Sequence, residues 1–239
     1  MNSNKKAAKI VGVLFILAAV TAIMGLLLYD PILNGPDYLI KGAKHANQVI
    51  LGALMELILV VSAVGTATTM FPFLRKYNET IALWHICFRF LEAIIITVGV
   101  ISMLSLLTLS REFVAAGSPD TAAFQTSGIV LKAIHAWTFM LGPLFMLGIN
   151  TAMYSYIFYK SKLVPKFIPI LGLTGAALVF IYGVLVMFGV IQQISVWSIL
   201  SLPVAANEMI LAVWLIVKGF NESALASMVE KKKVLEGLT

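Results

Sequence analysis

The chain has 239 residues, of which 60% are hydrophobic and only 12% charged, with a mean hydropathy of +0.97. That is more apolar surface than one soluble core can hide, so an ordinary water-soluble domain is excluded. The formal charge of +6 does not point to nucleic acid, because the basic residues are scattered over short loops and both tails with no basic face or binding motif to collect them.

Backbone amides in hydrocarbon need partners within the chain, so spanning segments are helices or a closed barrel, and long apolar runs without period-2 alternation select helices. A helix needs roughly 20 residues to cross a core of about 30 Å. Six stretches meet this need, at about 10–28, 49–72, 81–109, 129–159, 167–190 and 197–218. The predicted fold is all-α, a single six-helix transmembrane bundle with a cytoplasmic tail over 219–239.

The first stretch follows Lys5, Lys6 and Lys9 and resembles a signal peptide. At near 19 residues it exceeds the signal-peptide core of about 7 to 15, and Tyr29, Asp30 and Pro31 follow it rather than a small-residue cleavage site. It is read as an uncleaved span. The loop over 29–46, with Pro31, Gly35, Pro36 and Asp37, reads as a turn-rich extracytoplasmic segment. Cys87 lies in the third apolar run with no partner in the chain, which leaves no disulfide framework and no paired-cysteine metal site. Ser118, Pro119 and Asp120 form a helix start, so 121–130 reads as a half-polar extension of the fourth span. Pro143 and Pro203 fall mid-span in the fourth and sixth helices. Each is expected to kink its helix and to free a carbonyl, Phe139 and Ile199 respectively, that can line a polar cavity. The tail alternates apolar and charged residues up to Lys231, Lys232 and Lys233, and reads as a solvated or membrane-surface helix. Three lysines fall short of the roughly four to eight of an anionic-lipid sensor.

Orientation follows from loop charge. Lys5, Lys6, Lys9, Arg75, Lys76, Lys160, Lys162, Lys166, Lys218 and the tail lysines lie on one side, against Lys41, Lys44 and Arg111 on the other. Cytoplasmic loops retain positive charge, which predicts cytoplasmic termini and a multi-pass protein of the inner cell membrane.

Ionisable groups inside a membrane cost roughly 2.5 to 3.5 kcal/mol each and need a partner or a purpose. The third span carries His85, Arg89 and Glu92 at spacings of four and three, on one helical face. The second carries Glu56, the fourth Lys132 and His135, and the sixth Asn207 and Glu208. A rise of about 1.5 Å per residue puts Glu56, Arg89, Glu92, His135 and Glu208 in or near the central slab. Glu56 shares its stripe with Gly52, Ala53, Ala63 and Ala67, small residues that fit an inward face, and His135 shares one with Lys132, Thr138 and Gly142.

Three readings follow. Arg89 and Glu92, helped by Glu56 or Glu208, form a buried ion-pair network that fixes helix register. Alternatively Glu56, Arg89, Glu92, His135, Asn207 and Glu208 form a site that binds or passes a small molecule, a lipid headgroup or a proton. Thirdly, Glu92 or Glu208 acts as acid or base on a lipid, assisted by His135. Lys132 is expected to snorkel to the outer interface, and His85, beside Trp84, to anchor the inner one. No metal is assigned, since the spans hold no close-spaced histidine pair. His85 and His135 sit near opposite edges, which argues against a shared haem. No nucleophile elbow or phosphate-cradling glycine loop occurs, so the catalytic reading has no motif behind it, and the cofactor and oligomeric state stay unassigned. The partners expected are the bilayer and a small-molecule or ion ligand, and no nucleic acid.

Across nearly its whole length the chain resembles a bacterial membrane family known as domain of unknown function 4386. The resemblance rests on Arg89 and Glu92, on the His135 to Gly148 stretch, and on the connector from Lys160 to Lys166 followed by Gly172 and Gly175. The closing Pro203, Glu208, Trp214, Lys218, Gly219 pattern completes it. It implies a multi-pass inner-membrane protein with no established activity.

Overall fold

In the computed structural model, which describes residues 3–117, 121–193 and 195–235 with side chains as far as Glu230, the apolar runs fold as helices and no described residue is in a strand. Six helical segments are long and apolar enough to cross a membrane: Ser3–Leu28, Ala46–Leu74, Glu79–Ala115, Thr121–Ser161, Phe167–Met187 and Val196–Val217. Their outward faces expose Leu27, Val61, Ile94 and Val213, residues that lipid rather than water solvates.

The first span is α1 (Ser3–Leu28), the second α4 (Ala46–Leu74) and the third α5 (Glu79–Ala115). Helix α5 starts on an Asn78 cap, whose side chain accepts from the Ile81 N–H at 2.9 Å. It is 37 residues long, or about 55 Å at ~1.5 Å per residue, so its Ser110 to Ala115 end stands beyond a hydrocarbon core. The predicted turn-rich first loop is instead two short helices, α2 (Asp30–Leu33) and α3 (Tyr38–Lys44), packed against that protruding end. They are held because Ile32, Tyr38 and Leu39 bury their side chains with Met103, Leu106 and Phe113 of α5. A Cβ on Gly42 would lie 2.7 Å from Ser110 Oγ, so α3 sits directly on α5.

The fourth span runs from α6 (Thr121–Phe139) through a π-helical stretch (Met140–Met146) into α7 (Leu147–Ser161). The expected extension over 121–130 is helical, while its start at Ser118, Pro119 and Asp120 lies outside the described residues. Pro143 sits inside the π stretch, so its missing amide falls in a widened turn rather than in a regular α-helix. Pro203 behaves differently from expectation. The sixth span opens as a 3₁₀ helix (Val196–Ser201), and Pro203 lies in the first turn of α9 (Leu202–Val217), where its missing N–H costs no interior bond. The Ile199 carbonyl is not freed, because it accepts from the Leu202 N–H. The fifth span, α8 (Phe167–Met187), stops at Gly189, whose φ of +69° ends the helix short of the predicted boundary.

Helix α1 packs on α4 and α9, α5 on α4 and α6, and α8 on α7 and α9. Close approach depends on glycine: a Cβ on Gly175 would fall 2.6 Å from the Val204 backbone nitrogen, which leaves no side chain room at the α8–α9 contact. Three apolar cores result among the described residues. One holds Phe15, Met70, Tyr154, Phe158 and Leu211, a second Tyr29, Val49, Val100, Met103 and Leu106, and a smaller third Met140, Leu144, Val179, Tyr182 and Val204. Along α4 and α5 the buried polar residues Ser62, Thr66, Arg89 and Glu92 lie between the first two cores. The N-terminal end of α1 and the C-terminal end of α9 meet at one end of the bundle, where a Cβ on Gly219 would contact Ala8 and Lys5. The tail forms α10 (Glu222–Leu235), with Leu225 buried in the core at that end. The side chains of Lys231, Lys232 and Lys233 lie outside the described residues.

Candidate functional site

Helical spacing on α5 turns His85, Arg89 and Glu92 inward together, and all three are buried. Arg89 NH1 donates to Glu92 Oε2 at 2.9 Å and to Oε1 at 3.1 Å. Its Nε donates to the Ala63 carbonyl at 3.3 Å and its NH2 to Thr66 Oγ1 at 3.5 Å, so α4 grips the same guanidinium. From α9, Glu208 Oε1 approaches NH2 to 3.7 Å, within ion-pair range but beyond a hydrogen bond. From α7, Asn150 Nδ2 donates to Glu92 Oε2 at 2.7 Å. Four spans therefore converge on one centre that contains one guanidinium and two carboxylates.

The centre is unevenly satisfied. Glu92 accepts three hydrogen bonds, whereas Glu208 Oε1 accepts none. Asn150 Oδ1 and both ring nitrogens of His85 are also buried without a hydrogen-bond partner, whereas Ser155 Oγ lies apart, at the α7–α8 contact beside Gly172. Buried polar atoms are normally paired, so unpaired atoms beside Arg89 and Glu92 mark a place where water, a proton or a ligand completes the bonding. His85 was expected at the interface and is instead 1% exposed, edge-on to the Tyr154 ring, because Trp84 takes the outward position.

Glu56 and His135 form a separate pair. Glu56 Oε2 accepts from the Tyr29 hydroxyl at 3.2 Å, and His135 Nε2 lies 4.0 Å from Glu56 Oε1. The His135 ring stands edge-on to Tyr29, with centroids 5.6 Å apart. Burial, with Glu56 beside it, pushes the Tyr29 phenol well above the ordinary tyrosine range and keeps it a donor. A cavity of about 40 Å³ adjoins the pair, lined by Glu56, Gly99, His135, Thr138 and Pro143, which is room for a few waters. Of the two carboxylates expected to help Arg89 and Glu92, Glu208 reaches the guanidinium and Glu56 does not. Arg89 faces Ala63 and Thr66, seven and ten residues beyond Glu56 on α4, or roughly 10 to 15 Å along the helix.

Asn207, grouped with the charges by sequence, belongs to a packing clasp instead: its Nδ2 donates to the Ile168 carbonyl at 2.6 Å and its Oδ1 accepts from the Tyr154 hydroxyl at 2.9 Å. Lys132 is half-buried, with Nζ 4.5 Å above the Tyr38 ring. Asn150, Thr66, Tyr29 and Tyr154 were not anticipated. Asn150 carried a usable signal, a lone amide in an apolar run, while Tyr29 was hidden by its apparent place in a loop. Among the described residues no three His, Cys, Asp or Glu side chains gather as a metal set.

Along α5 the buried polar groups fall at two levels, separated by Ala93 and Ile96. From His85, through Arg89 and Glu92, to Gly99 beside Thr138 and His135 is roughly 21 Å at ~1.5 Å per residue, against a hydrocarbon core of about 30 Å. No curated protein and no solved structure matches the chain. A family model described as Domain of unknown function (DUF4386) matches residues 10–219, and the chain belongs to that family.

Proposed function

We propose that this is a multi-pass protein of the inner cell membrane, with both termini in the cytoplasm, whose Arg89, Glu92 and Glu208 centre binds and exchanges a proton. The observation that carries this reading is the inequality of the two carboxylates. Glu92 is saturated by Arg89 and Asn150, while Glu208 stands 3.7 Å from the same guanidinium with Oε1 unbonded. One guanidinium balances one carboxylate, and an uncompensated second charge inside a bilayer is costly, so a proton on Glu208 restores neutrality. His85 lies one turn nearer the basic end, and the separate Glu56 and His135 pair lies on the other side. Basic residues gathered at the end shared by Lys5, Lys162 and Lys218 support the cytoplasmic assignment.

Proteoliposomes carrying an internal pH dye test this. Wild-type protein should dissipate an imposed pH gradient, and Glu208→Gln should not, with its melting temperature in detergent unchanged. A second reading, that the centre only locks the helices, is favoured by the bonds Arg89 makes to Ala63 and Thr66. It predicts no proton flux in the wild type and a lowered melting temperature in every charge variant.

A further inference from the structure

The lysine-rich connector and the Trp214 to Gly219 segment carry part of the family resemblance yet take no part in the intramembrane centre. They meet in space. Together they line a groove of about 420 Å³ at the end of the bundle where the fourth span stops, the fifth begins and the sixth stops. Lys162, Lys166 and Lys218 line it, with an apolar lining from Leu163, Trp214 and Phe220, and among the described residues no acidic side chain lines it. A Cβ on Gly219 would approach Lys5 Cγ to 3.9 Å, so a fourth lysine stands beside it.

The groove is built rather than incidental. The Asn221 N–H donates to the Leu163 carbonyl at 2.9 Å, and its side-chain amide donates to the Lys162 carbonyl at 3.4 Å, which clasps the two segments across almost sixty positions of sequence. Lys162 itself has a φ of +58°, in the left-handed region and alone among the described non-glycine residues, so the turn that presents the connector is held against its local preference. On the adjoining helices Phe167 and Ile170 of α8 and Val213 and Val217 of α9 are exposed, apolar surface that acyl chains cover. Lysines at the mouth, an apolar lining and lipid-facing walls just beyond match the chemistry of one occupant, an anionic phospholipid with its phosphodiester among the ammonium groups.

We propose that this groove is a binding site for the headgroup of an anionic membrane phospholipid, independent of the proton centre. Native mass spectrometry of the full chain, loaded with phosphatidylglycerol or phosphatidylcholine, tests it. The wild type should retain phosphatidylglycerol in preference to phosphatidylcholine, and excess inorganic phosphate should not displace it. The Lys166→Gln/Lys218→Gln variant should lose about thirtyfold in phosphatidylglycerol affinity, from about fivefold per juxtamembrane lysine. The Lys166→Arg/Lys218→Arg variant should keep it, and so should Lys44→Gln/Arg111→Gln, altered at the opposite end. Equal retention of both lipids, equal retention by the glutamine variant, loss in the arginine variant, or displacement by phosphate would overturn the proposal, the last by revealing a site for a soluble phosphoanion.

Discussion

Arg89 holds Glu92 at 2.9 Å and Glu208 at 3.7 Å, so two carboxylates from different helices are unequal partners of one guanidinium. The inequality arises from chain geometry. Glu92 lies three residues from Arg89 on α5 and is carried into place by the helix itself. Glu208 arrives on α9, a different helix, and its distance from Arg89 is set by how the two helices pack.

Removal of the guanidinium should be the most damaging single change in the bundle. Arg89→Ala leaves Glu92 and Glu208 without their cation, and breaking a buried pair costs about 3 to 5 kcal/mol. Thermal unfolding in detergent should show a large fall in melting temperature or no folded protein.

The two carboxylates should separate under the same substitution. Glu92→Gln weakens charge-assisted hydrogen bonds from Arg89 and Asn150, each worth roughly 1.5 to 3 kcal/mol, and should lower stability clearly. Glu208→Gln disturbs no hydrogen bond to Oε1 and should change stability by less than about 1 kcal/mol. Paired chemical denaturation curves check the order of the two effects.

Asn150 and Glu92 should be energetically coupled. In a double-mutant cycle of Asn150→Ala with Glu92→Gln, residues in one hydrogen-bond network interact by about 0.5 to 3 kcal/mol, and a non-zero coupling is expected here. Asn150→Ala with Glu56→Gln should be additive, because those residues belong to separate centres.

Loss of the Tyr29 hydroxyl should be felt at Glu56. Tyr29→Phe keeps the ring against His135 but leaves Glu56 Oε2 without its donor, at a cost of about 1 to 3 kcal/mol for a buried acceptor. Stability measurements on Tyr29→Phe and on Tyr29→Phe with Glu56→Gln separate the hydrogen bond from the packing.

The spans were legible in the sequence because hydrocarbon imposes a single requirement, an apolar run of the right length with every amide paired internally. The inward face of Arg89 and Glu92 was legible for a similar reason, since spacing on one helix fixes relative direction. Depth counting failed to decide which charges meet. Glu56 and Arg89 have similar nominal depths, but α4 presents Ala63 and Thr66 to Arg89, and an antiparallel offset of two or three turns cannot be read from either helix alone. His85 was misplaced because a histidine beside a tryptophan near a helix end resembles an interface anchor, and only packing shows which side each residue takes. The first loop concealed two helices because Pro31, Gly35 and Pro36 are also compatible with short helices that borrow stability from α5. Pro203 was misread because nothing local distinguishes a proline in mid-helix from one in the first turn after a 3₁₀ segment.

The most direct test of the proton centre is infrared difference spectroscopy of the carboxyl stretch in reconstituted protein as the pH is stepped. The account predicts a carboxyl band that appears and disappears with pH in the wild type and is missing from Glu208→Gln, while Tyr29→Phe retains it. Identical difference spectra for the wild type and Glu208→Gln would contradict it and leave Arg89, Glu92 and Glu208 as a fastening between helices.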